Sequence, residues 1–456
     1  SHYQPFAGIY STYMIPHVED KYEMLHMLSD AIKGVYASVF YADSKAYMTA
    51  TSNVIDQEKM AVIIQEVVGE LHQDYYFPSF SGVGRSLNYY PINDEQPEDG
   101  VAEIAVGLGK YIVDGGLSLR FSPRHADKVL QTSTLDLALR DTQTRFYALD
   151  MKKIDQDFNV DDGFNISKKK IQDFASTGAL KYMVSTFDYT DQMLRDYEYG
   201  DGRRVVTFAN VLQHKVFPLA PAIDFMLTNG QNEMCRPIEI EFAGIIDDAS
   251  KNIKGRIYWL QIRPIIDRKD LVDDSVLEIA DNDVLLKSNT ALGHGNIDNV
   301  NTIIYVRPEN FSASNNSLIA RELEKINRNY ATNNEYYILI GPGRWGSSDT
   351  ALGIPVKWPN ISAARLIVES SLSNYRIEPS QGTHFFQNLT SFGVGYFTIN
   401  PSSSDGIYDI DFLNKQPAIY ESEFLRIVKF SEPLSIGING MKGVGVVAKP
   451  KNNKNK

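Results

Sequence analysis

Apolar and polar residues alternate strictly in residues 237–244, near the middle of the chain. Ile238, Ile240 and Phe242 fall on one side of an extended chain, and Glu239 and Glu241 fall on the other. This period of two is typical of a half-buried β-strand. Neighbours on one face of a strand are roughly 6.5 to 7 Å apart. The pattern therefore predicts two carboxylates that can approach a single ligand.

A second segment with the same period, RIYWLQIRPI, follows after a loop of Asp, Ser, Asn and Lys. Alternation predicts Trp259, Gln261 and Arg263 on one face. If the two strands form an antiparallel hairpin, two carboxylates, an amide and a guanidinium converge. Carboxylate and amide oxygens hold Mg²⁺, and arginine pairs with phosphate. The alternative is a solvated acidic strand balanced by one arginine, which is a common pattern.

The remaining pattern predicts a mixed α+β protein. Apolar residues that recur at three and four positions indicate helices, and alternation or short apolar runs indicate strands. The predicted helices are residues 218–227 and 317–330, and residues 21–47 are predicted to form one or two helices. The predicted strands are residues 60–68, 101–106, 205–212, 302–306, 336–340, 394–399 and 434–438. Residues 60–68 (MAVIIQEVV) are almost all apolar, so this strand is expected to be buried.

Length and charge narrow the class of protein. A chain of 456 residues is long enough for two or three domains. The net charge of −12 argues against a general nucleic-acid-binding protein, which needs clustered Lys and Arg. The one cysteine, Cys235, cannot form an intrachain disulfide and fits a reducing compartment. Because no run of about 18 apolar residues and no signal-peptide pattern occurs, we expect a cytoplasmic protein without a membrane partner.

A glycine-rich turn follows the predicted strand at residues 101–106. Gly107 and Gly109 flank Leu108 and precede Lys110. Backbone amides in such a turn can approach a phosphate or a ribose. An ordinary strand-to-helix turn explains the glycines better, since no further glycine follows with dinucleotide-binding spacing. The pattern alone therefore favours the structural interpretation, with the phosphate or ribose contact as the alternative.

Several short segments, each unspecific alone, occur in a characteristic order across residues 1 to about 266. They are Phe6-Ala7-Gly8, Ala31-Ile32-Lys33, Tyr36-Ala37-Ser38, Lys59-Met60-Ala61-Val62 with Gln65, Ser81-Gly82-Val83, Gly107-Leu108-Gly109, and Glu241 with Leu260-Gln261-Ile262-Arg263-Pro264. In this order they resemble the N-terminal nucleotide-binding domain of phosphoenolpyruvate synthases and pyruvate phosphate dikinases, which has an ATP-grasp-like fold. The Gln-x-Arg-Pro ending after an acidic strand is the most specific part.

The resemblance implies a site for Mg²⁺ and ATP on the predicted hairpin. In this family the acidic strand and the Gln-x-Arg strand face the phosphates of ATP and the metal. Glu241 would ligate the metal with support from Glu239, and Gln261 and Arg263 would be catalytic residues that orient phosphates. The implied cofactor-binding residues are Glu239, Glu241, Gln261, Arg263, Gly107 and Gly109. The implied reaction transfers a phosphoryl group to a histidine on a separate phosphohistidine domain.

The chain also departs from the family pattern. Relatives carry a lysine and an Arg-Ser-Ser segment upstream of Phe-Ala-Gly, and this chain begins too late to contain them, so we expect a truncated domain. Relatives usually have a glutamate where Lys110 stands. Neither the phosphohistidine domain nor the pyruvate-binding barrel is recognisable. We therefore expect a fragment that is not active alone. The alternative is a non-catalytic module that senses a nucleotide or another anion.

Residues 280–448 do not resemble the other domains of that family, so only their own chemistry is informative. The predicted strand at residues 336–340 runs into GPGRWGSSD, where Arg344, Ser347 and Ser348 can hold an anion. This loop lacks the Gly-Lys-Ser/Thr ending of a P-loop, and the alternative is a structural loop with Arg344 stacked on its neighbouring tryptophan. His294 and His384 are candidate phosphoryl acceptors or bases, although a lone histidine is more often structural. A different acceptor bound near Arg344 and His384 is a third hypothesis.

These observations predict two domains and a tail. Residues 1–270 form the ATP-grasp-like nucleotide-binding domain, and residues 280–448 form an α+β domain of unknown role. The charged stretch DRKDLVDDS, which follows Ile266, marks the expected boundary. Residues 449–456, which end in KNNKNK, are expected to be disordered.

Overall fold

The structure is a computed structural model of the chain. It describes residues 8–41, 44–45, 48, 60–88, 91, 94–152, 158–174, 177–197, 200–247, 254–265, 274–347, 349–372, 394–400, 405–440 and 442–450. The chain divides into two compact units. The first unit comprises Tyr10–Tyr41 and Lys59–Ile265, and the second comprises Ser1–Ile9, Ala42–Glu58 and Ile266–Lys456. In this division Ser1–Ile9 and Ala42–Glu58 group with the second unit. The predicted domain limits, residues 1–270 and 280–448, stay a prediction.

The first unit contains short helices and three antiparallel sheets. Its strands are β1 (Glu70–His72), β2 (Tyr75–Phe77), β3 (Phe80–Arg85), β4 (Val101–Ala105), β5 (Leu119–Phe121), β6 (Arg145–Asp150), β7 (Ile166–Lys170), β8 (Val184–Asp188), β9 (Met193–Arg195), β10 (Arg203–Val206), β11 (Ile238–Asp247) and β12 (Lys254–Pro264). Its helices are α1 (Lys21–Ser38), α2 (Lys110–Val113), α3 (Leu135–Arg140), α4 (Ile171–Phe174), α5 (Ala209–Leu212) and α6 (Leu219–Met234). The sheet orders are β1-β2-β6-β7, β10-β8-β9 and β12-β11-β3-β4-β5.

The five-stranded sheet buries one face in an apolar core, and its other face, called here the polar face, carries charged residues beside a small buried apolar cluster that includes Val83. Ile238, Ile240 and Phe242 of β11 are buried in a core that also contains residues of α6. Gly82 of β3 makes room for the Phe242 ring, since a Cβ at this glycine would lie 2.2 Å from the ring. The opposite face presents Glu239 and Glu241. The predicted division of β11 into an apolar and an acidic face is therefore confirmed.

Some predicted elements of the first unit are wrong in extent. Residues 21–47, predicted as one or two helices, contain α1 (Lys21–Ser38), with the Asp20 side chain accepting from two amides of its first turn, and residues 44–45 are also helical. The helix predicted at residues 218–227, on the expectation that Asn229-Gly230 ends it, is observed as α6 and continues to Met234. Gly230 is buried, and a Cβ at this position would lie 2.5 Å from Ile238. Tertiary packing therefore uses Gly230 as a contact point and not as a helix end. The strand predicted at residues 205–212 ends at Val206, and α5 follows.

The prediction of a buried strand at residues 60–68 is wrong. This segment forms no strand, and Ile63 and Ile64 are 88% and 65% exposed. The Gln65 side chain donates to the Leu260 carbonyl of β12 at 3.5 Å, and the Tyr76 hydroxyl donates to the Val67 carbonyl at 3.2 Å. An apolar run alone did not reveal that this segment lies beside a sheet edge without joining it.

The second unit contains a seven-stranded mixed sheet, a five-stranded antiparallel sheet and a pair of short parallel strands. Its strands are β13 (Val284–Ser288), β14 (Ala291–Leu292), β15 (His294–Ile297), β16 (Thr302–Val306), β17 (Tyr337–Pro342), β18 (Arg344–Trp345), β19 (Gly353–Ile354), β20 (Ala364–Ser370), β21 (Gly395–Ile399), β22 (Ile407–Tyr408), β23 (Ala418–Glu421), β24 (Leu425–Lys429), β25 (Ile436–Asn439) and β26 (Val444–Ala448). Its helices are α7 (Asp274–Leu277), α8 (Asn316–Thr332) and α9 (Ile410–Asn414).

Four neighbouring strands of the larger sheet are parallel. The sheet order is β14-β21-β20-β17-β16-β24-β23, and the pairs β16–β17, β17–β20 and β20–β21 run in one direction. One face packs against β13, β25 and β26 through Leu286, Val447 and other buried residues. α8 connects β16 to β17 and lies on the other face. There the Tyr337 hydroxyl of β17 donates to Asn327 Oδ1 of α8 at 2.8 Å. The carboxyl ends of the four parallel strands lie at one edge of this sheet.

The patterns of the second unit predicted most of its described elements. The strands predicted at residues 302–306, 336–340, 394–399 and 434–438 correspond to β16, β17, β21 and β25, and the helix predicted at residues 317–330 corresponds to α8. Ser348, His384 and residues 451–456 lie outside the described residues. In the described part of the chain, no helix is both long and apolar enough to cross a membrane.

Candidate functional site

The register of β11 and β12 brings the predicted site residues into one group. Glu239 pairs with Arg263, and Glu241 pairs with Gln261. The predicted antiparallel hairpin is therefore present. Residues directly opposite each other in an antiparallel pair project from the same face. All four side chains accordingly belong to the polar face of the five-stranded sheet.

A β-bulge changes the face on which Trp259 lies. The register shifts between Glu241 and Phe242, so that Phe242 pairs with Trp259 and Leu260 is the extra residue. Trp259 therefore shares the apolar face with Phe242, and a Cβ on Gly230 of α6 would lie 3.2 Å from the indole. The prediction that Trp259 shares a face with Gln261 and Arg263 is wrong, because strict alternation does not continue through a bulge.

Arg263 connects the two glutamates. Its Nε donates to Glu239 Oε1 and its Nη2 donates to Glu241 Oε1, each at 2.8 Å. On the other side of Glu239, Nε of Arg85 in β3 donates to Oε2 at 2.7 Å. Glu239 and Arg85 are both 5% exposed, whereas Arg263 and Glu241 are 22% and 26% exposed. The group carries two positive and two negative charges and extends from the interior to the surface.

The two glutamates differ in their electrostatics. Burial raises the pKa of Glu239, but the charges of Arg85 and Arg263 and their hydrogen bonds outweigh burial and hold this pKa below its usual value. Burial also raises the pKa of Glu241, and Arg263 alone does not offset burial and the repulsion from Glu239, so this pKa stays above its usual value. Glu239 is thus held as a buried anion by two arginines, whereas Glu241 is the less satisfied carboxylate.

Arg85 was missed by the sequence reasoning. It ends the FSGVGR strand, of which only Ser81-Gly82-Val83 was singled out. Alternation from Ser81 and Val83 puts Arg85 on the same face as both residues, and Arg85 pairs with Glu239 across the sheet. The signal was therefore available within β3, but it needed the pairing of β3 with β11, a contact between residues more than 150 positions apart.

The glycine-rich turn lies at the opposite end of β3. Gly107 has φ +85° and is buried, and a Cβ there would lie 2.6 Å from the Tyr147 carbonyl. Its own carbonyl accepts from Ser81 Oγ at 2.6 Å. Gly109 precedes α2, and a Cβ there would meet only the Ser81 side chain, at 3.5 Å. The fold therefore requires glycine at position 107 but has room for a larger residue at position 109.

Lys110, which follows the glycine-rich turn, has acidic neighbours. Its Nζ lies 3.7 Å from Asp114 and 3.8 Å from Asp162. Asp162 also accepts from the Thr12 amide at 3.2 Å. Burial raises the pKa of Asp114, and Lys110 opposes this shift. Lys110 thus links α2 to the segment before β7.

The second unit places Arg344 and Ser347 directly after β17. Arg344 is 5% exposed, and Ser347 Oγ donates to the Asp349 carbonyl at 3.1 Å. Trp345 packs on Gly341, where a Cβ would lie 2.4 Å from the indole, and its ring nitrogen donates to the Val368 carbonyl. Their predicted anion-binding role stays a prediction. His294 begins β15, where its backbone pairs with Asn439.

Comparison with known proteins identifies the family. No curated protein matches this chain. The sequence model described as "Pyruvate phosphate dikinase, AMP/ATP-binding domain" matches residues 1–283, which is more than half of the chain. This family is ATP-grasp-like and mixed α+β, so the predicted fold class is confirmed. The narrower assignment to phosphoenolpyruvate synthases and the predicted truncation stay predictions. The chain thus belongs to the family of the AMP/ATP-binding domain of pyruvate phosphate dikinase.

Proposed function

We propose that the first unit binds Mg-ATP on the polar face of its five-stranded sheet, for phosphoryl transfer to a histidine on another domain. The observation that carries this proposal is the double hydrogen bond of Arg263 to Glu239 and Glu241. It fixes a guanidinium beside a carboxylate at the partly exposed end of the group. Phosphoryl transfer is catalysed chiefly by positioning and charge neutralisation, and a fixed arginine next to a metal-binding carboxylate supplies both.

The available oxygens fit a metal that is also held by the substrate. Glu239 accepts from an arginine at each oxygen, so we assign it the role of positioning Arg263. Glu241 uses Oε1 for Arg263, and its Oε2 accepts no hydrogen bond within the described residues. No group of three or more His, Cys, Asp and Glu in the described ranges could hold a metal. Mg²⁺ is commonly held by one or two carboxylates plus substrate phosphates, and Glu241 with the Gln261 amide fits this mode.

Each side chain then has a separate role. Bound Mg²⁺ supplies neutralisation of the phosphate charges. Glu241 and Gln261 hold the metal and the polyphosphate at the sheet, and Arg263 pairs with a phosphate oxygen. Arg85 and Glu239, both buried, keep the Arg263 guanidinium in place. The acceptor histidine would belong to a phosphohistidine domain, which is the partner that this proposal requires.

Replacing Glu241 by glutamine tests the metal site. We expect Glu241→Gln to weaken Mg-ATP binding by at least roughly tenfold, or about 1.4 kcal/mol, because the amide removes the anionic metal ligand while keeping its shape. Isothermal titration calorimetry of the full chain, with and without Mg²⁺, measures this effect. Glu70→Gln, the same change in another sheet of this unit, is the matched control. Equal magnesium-dependent affinity in the wild type and Glu241→Gln would refute the assignment.

Alanine substitutions at Gly107 and Gly109 distinguish a glycine that the fold requires from a glycine that contacts the nucleotide. Gly107→Ala is expected to lower the melting temperature, because the Cβ would collide with the Tyr147 carbonyl and φ is positive. Gly109→Ala is expected to leave the melting temperature unchanged, since only the Ser81 side chain lies nearby. If this backbone approaches the nucleotide, Gly109→Ala should still weaken Mg-ATP binding by roughly tenfold. Unchanged affinity would remove Gly109 from the site.

Lys110 favours a second candidate, a module that senses a nucleotide without turnover. Its ammonium is directed to Asp114 and Asp162, and it replaces the glutamate usual in the family. Turnover distinguishes the two candidates. Transfer from ATP to a dikinase phosphohistidine domain added in trans would consume ATP in proportion to phosphohistidine formed. Tight Mg-ATP binding without consumption would favour sensing.

A further inference from the structure

Strand β7 lies at the margin of the four-stranded sheet of the first unit. Within the residues that the structure describes, it pairs with β6 alone. Just beyond its end the Ile171 amide donates to the Thr144 carbonyl at 3.0 Å, so these two residues form a hydrogen-bonded pair. Bonded and non-bonded pairs alternate along an antiparallel ladder, which makes Lys170 and Lys168 members of non-bonded pairs. The backbone N–H and C=O groups of both lysines therefore point away from β6.

These backbone groups are available to a further strand. The Ile166 amide, which points the same way, donates to the Gly163 carbonyl at 2.9 Å. Lys168 and Lys170 have no such backbone partner in the described ranges. Unpaired N–H and C=O groups on an edge strand are the template on which an extended peptide adds as a new strand. The outer edge of β7 thus offers two donors and two acceptors.

The side chains of the same two lysines lie with Arg145 of β6 on one face of the sheet. All three residues are exposed, and none forms an ion pair with another residue of the described chain. Lys168 lies over the Tyr147 ring, 5.8 Å from its centroid, and interacts electrostatically with Asp114 of α2. Arg145 is directly opposite Lys170 in a non-bonded pair, where side chains are closest. Because like charges in this position destabilise a sheet, an external anion would stabilise this face.

Lys169, between the two lysines, has a different role. Its side chain lies on the core face, where it donates to the Tyr75 hydroxyl and lies 3.7 Å from the centroid of the Tyr75 ring. Lysines on an edge strand commonly hinder unspecific strand addition, and this alone would explain Lys168 and Lys170. It does not explain Arg145, which is on the inner strand β6. The three exposed cations together indicate a specific anionic partner.

The spacing of these charges defines the partner. A strand that pairs with β7 would place residues directly opposite Lys168 and Lys170, with their side chains on the same face. Those residues are two positions apart, roughly 6.5 to 7 Å along the strand, so Asp or Glu at alternate positions would meet both lysines. The carboxylates would also offset the repulsion between Lys170 and Arg145. An apolar or basic strand would leave this repulsion in place.

We propose that the outer edge of β7 binds an extended acidic segment of another protein, which adds to the sheet as a new strand with Asp or Glu at alternate positions. Backbone pairing with Lys168 and Lys170 would supply affinity, and the three cations would supply selectivity. The surface lies in the first unit, and the proposal does not depend on the binding of Mg-ATP.

A short capped peptide of alternating glutamate and valine, labelled for fluorescence anisotropy, tests the proposal with the full chain. We expect it to bind the wild type and to lose affinity as the ionic strength rises. Lys168→Gln and Lys170→Gln should each weaken binding by roughly threefold and together by roughly tenfold. Their melting temperatures should be unchanged, because both side chains are exposed. Lys254→Gln, at an exposed lysine of the edge strand β12, is the matched control and should keep the wild-type affinity.

The same peptide N-methylated at its glutamates separates strand pairing from simple charge attraction. N-methylation removes the amides that face β7 but keeps every charge, so this peptide should bind at least roughly tenfold more weakly. The proposal would be overturned if the unmodified peptide did not bind, if the two peptides bound equally, or if the double variant kept the wild-type affinity. A wild-type chain that sediments as a dimer, when the double variant sediments as a monomer, would place a second copy at this edge and would also overturn it.

Discussion

Glu239→Gln is expected to lower the free energy of unfolding at pH 7 by about 3 kcal/mol or more, the cost typical of breaking a buried ion pair. The amide leaves Arg85 and Arg263 without their shared anion, and Arg85 is as buried as Glu239.

Glu241→Gln, two residues along the same strand, is expected to keep or raise stability. Its pKa is raised in the folded chain, so ionisation of Glu241 costs stability at neutral pH and the neutral amide avoids this cost.

Urea unfolding as a function of pH checks the predicted direction of both stability changes, that of Glu239→Gln and that of Glu241→Gln. Because the folded pKa of Glu239 lies below its unfolded value, its contribution is present above about pH 4.5 and is lost as the pH falls through the folded pKa. The difference between wild type and Glu239→Gln should therefore shrink in acid. The contribution of Glu241 has the opposite dependence, since it is complete below its unfolded pKa and is lost as the pH rises through its raised pKa. Equal effects of the two substitutions at pH 7 would contradict this description of the site.

Gly353→Ala is expected to destabilise the second unit by more than about 3 kcal/mol. β19 approaches β18 so closely that a Cβ on Gly353 would lie 1.8 Å from the Arg344 carbonyl oxygen and 2.8 Å from its nitrogen. Backbone atoms cannot move aside as a flexible side chain can. The substitution should therefore displace Arg344 and Trp345 from the end of β17.

Tryptophan fluorescence during unfolding can follow this effect. Trp345 and Trp358 of the second unit are 0% and 5% exposed, whereas Trp259 of the first unit is 40% exposed. Gly353→Ala should shift the transition of the buried tryptophans to lower urea, and Gly109→Ala, which has room for its Cβ, serves as the control. A transition of Gly353→Ala that coincides with the wild-type transition would show that β18 and β19 separate at little cost.

Local patterns predicted strands and helices wherever burial followed the period of the sequence. Thr302–Val306 (β16) was predicted to the residue, and the acidic face of β11 was predicted from alternation alone. The prediction failed at Trp259 because a bulge interrupts the period. It failed at Gly230 because a glycine that usually ends helices serves here as a packing contact. Both outcomes depend on tertiary neighbours that no short window of sequence contains.

The candidate site was predictable only in part for the same reason. The glutamates, Gln261 and Arg263 lie within one hairpin, so their convergence needed only a turn between two strands. Arg85 lies 154 residues from its partner Glu239, and the pairing of β3 with β11 is a property of the whole sheet.

The position of β12 at the margin of its sheet has a consequence for self-association. In the described part of the chain β12 pairs with β11 alone, and the apolar Ile63 and Ile64 are exposed on the segment beside it. An edge strand next to exposed β-branched residues is a template for strand addition by a second chain. β12 also carries Gln261 and Arg263, so strand pairing with a second chain and ligand binding would both involve this strand. Concentrated protein is therefore expected to lose nucleotide-binding capacity as it oligomerises.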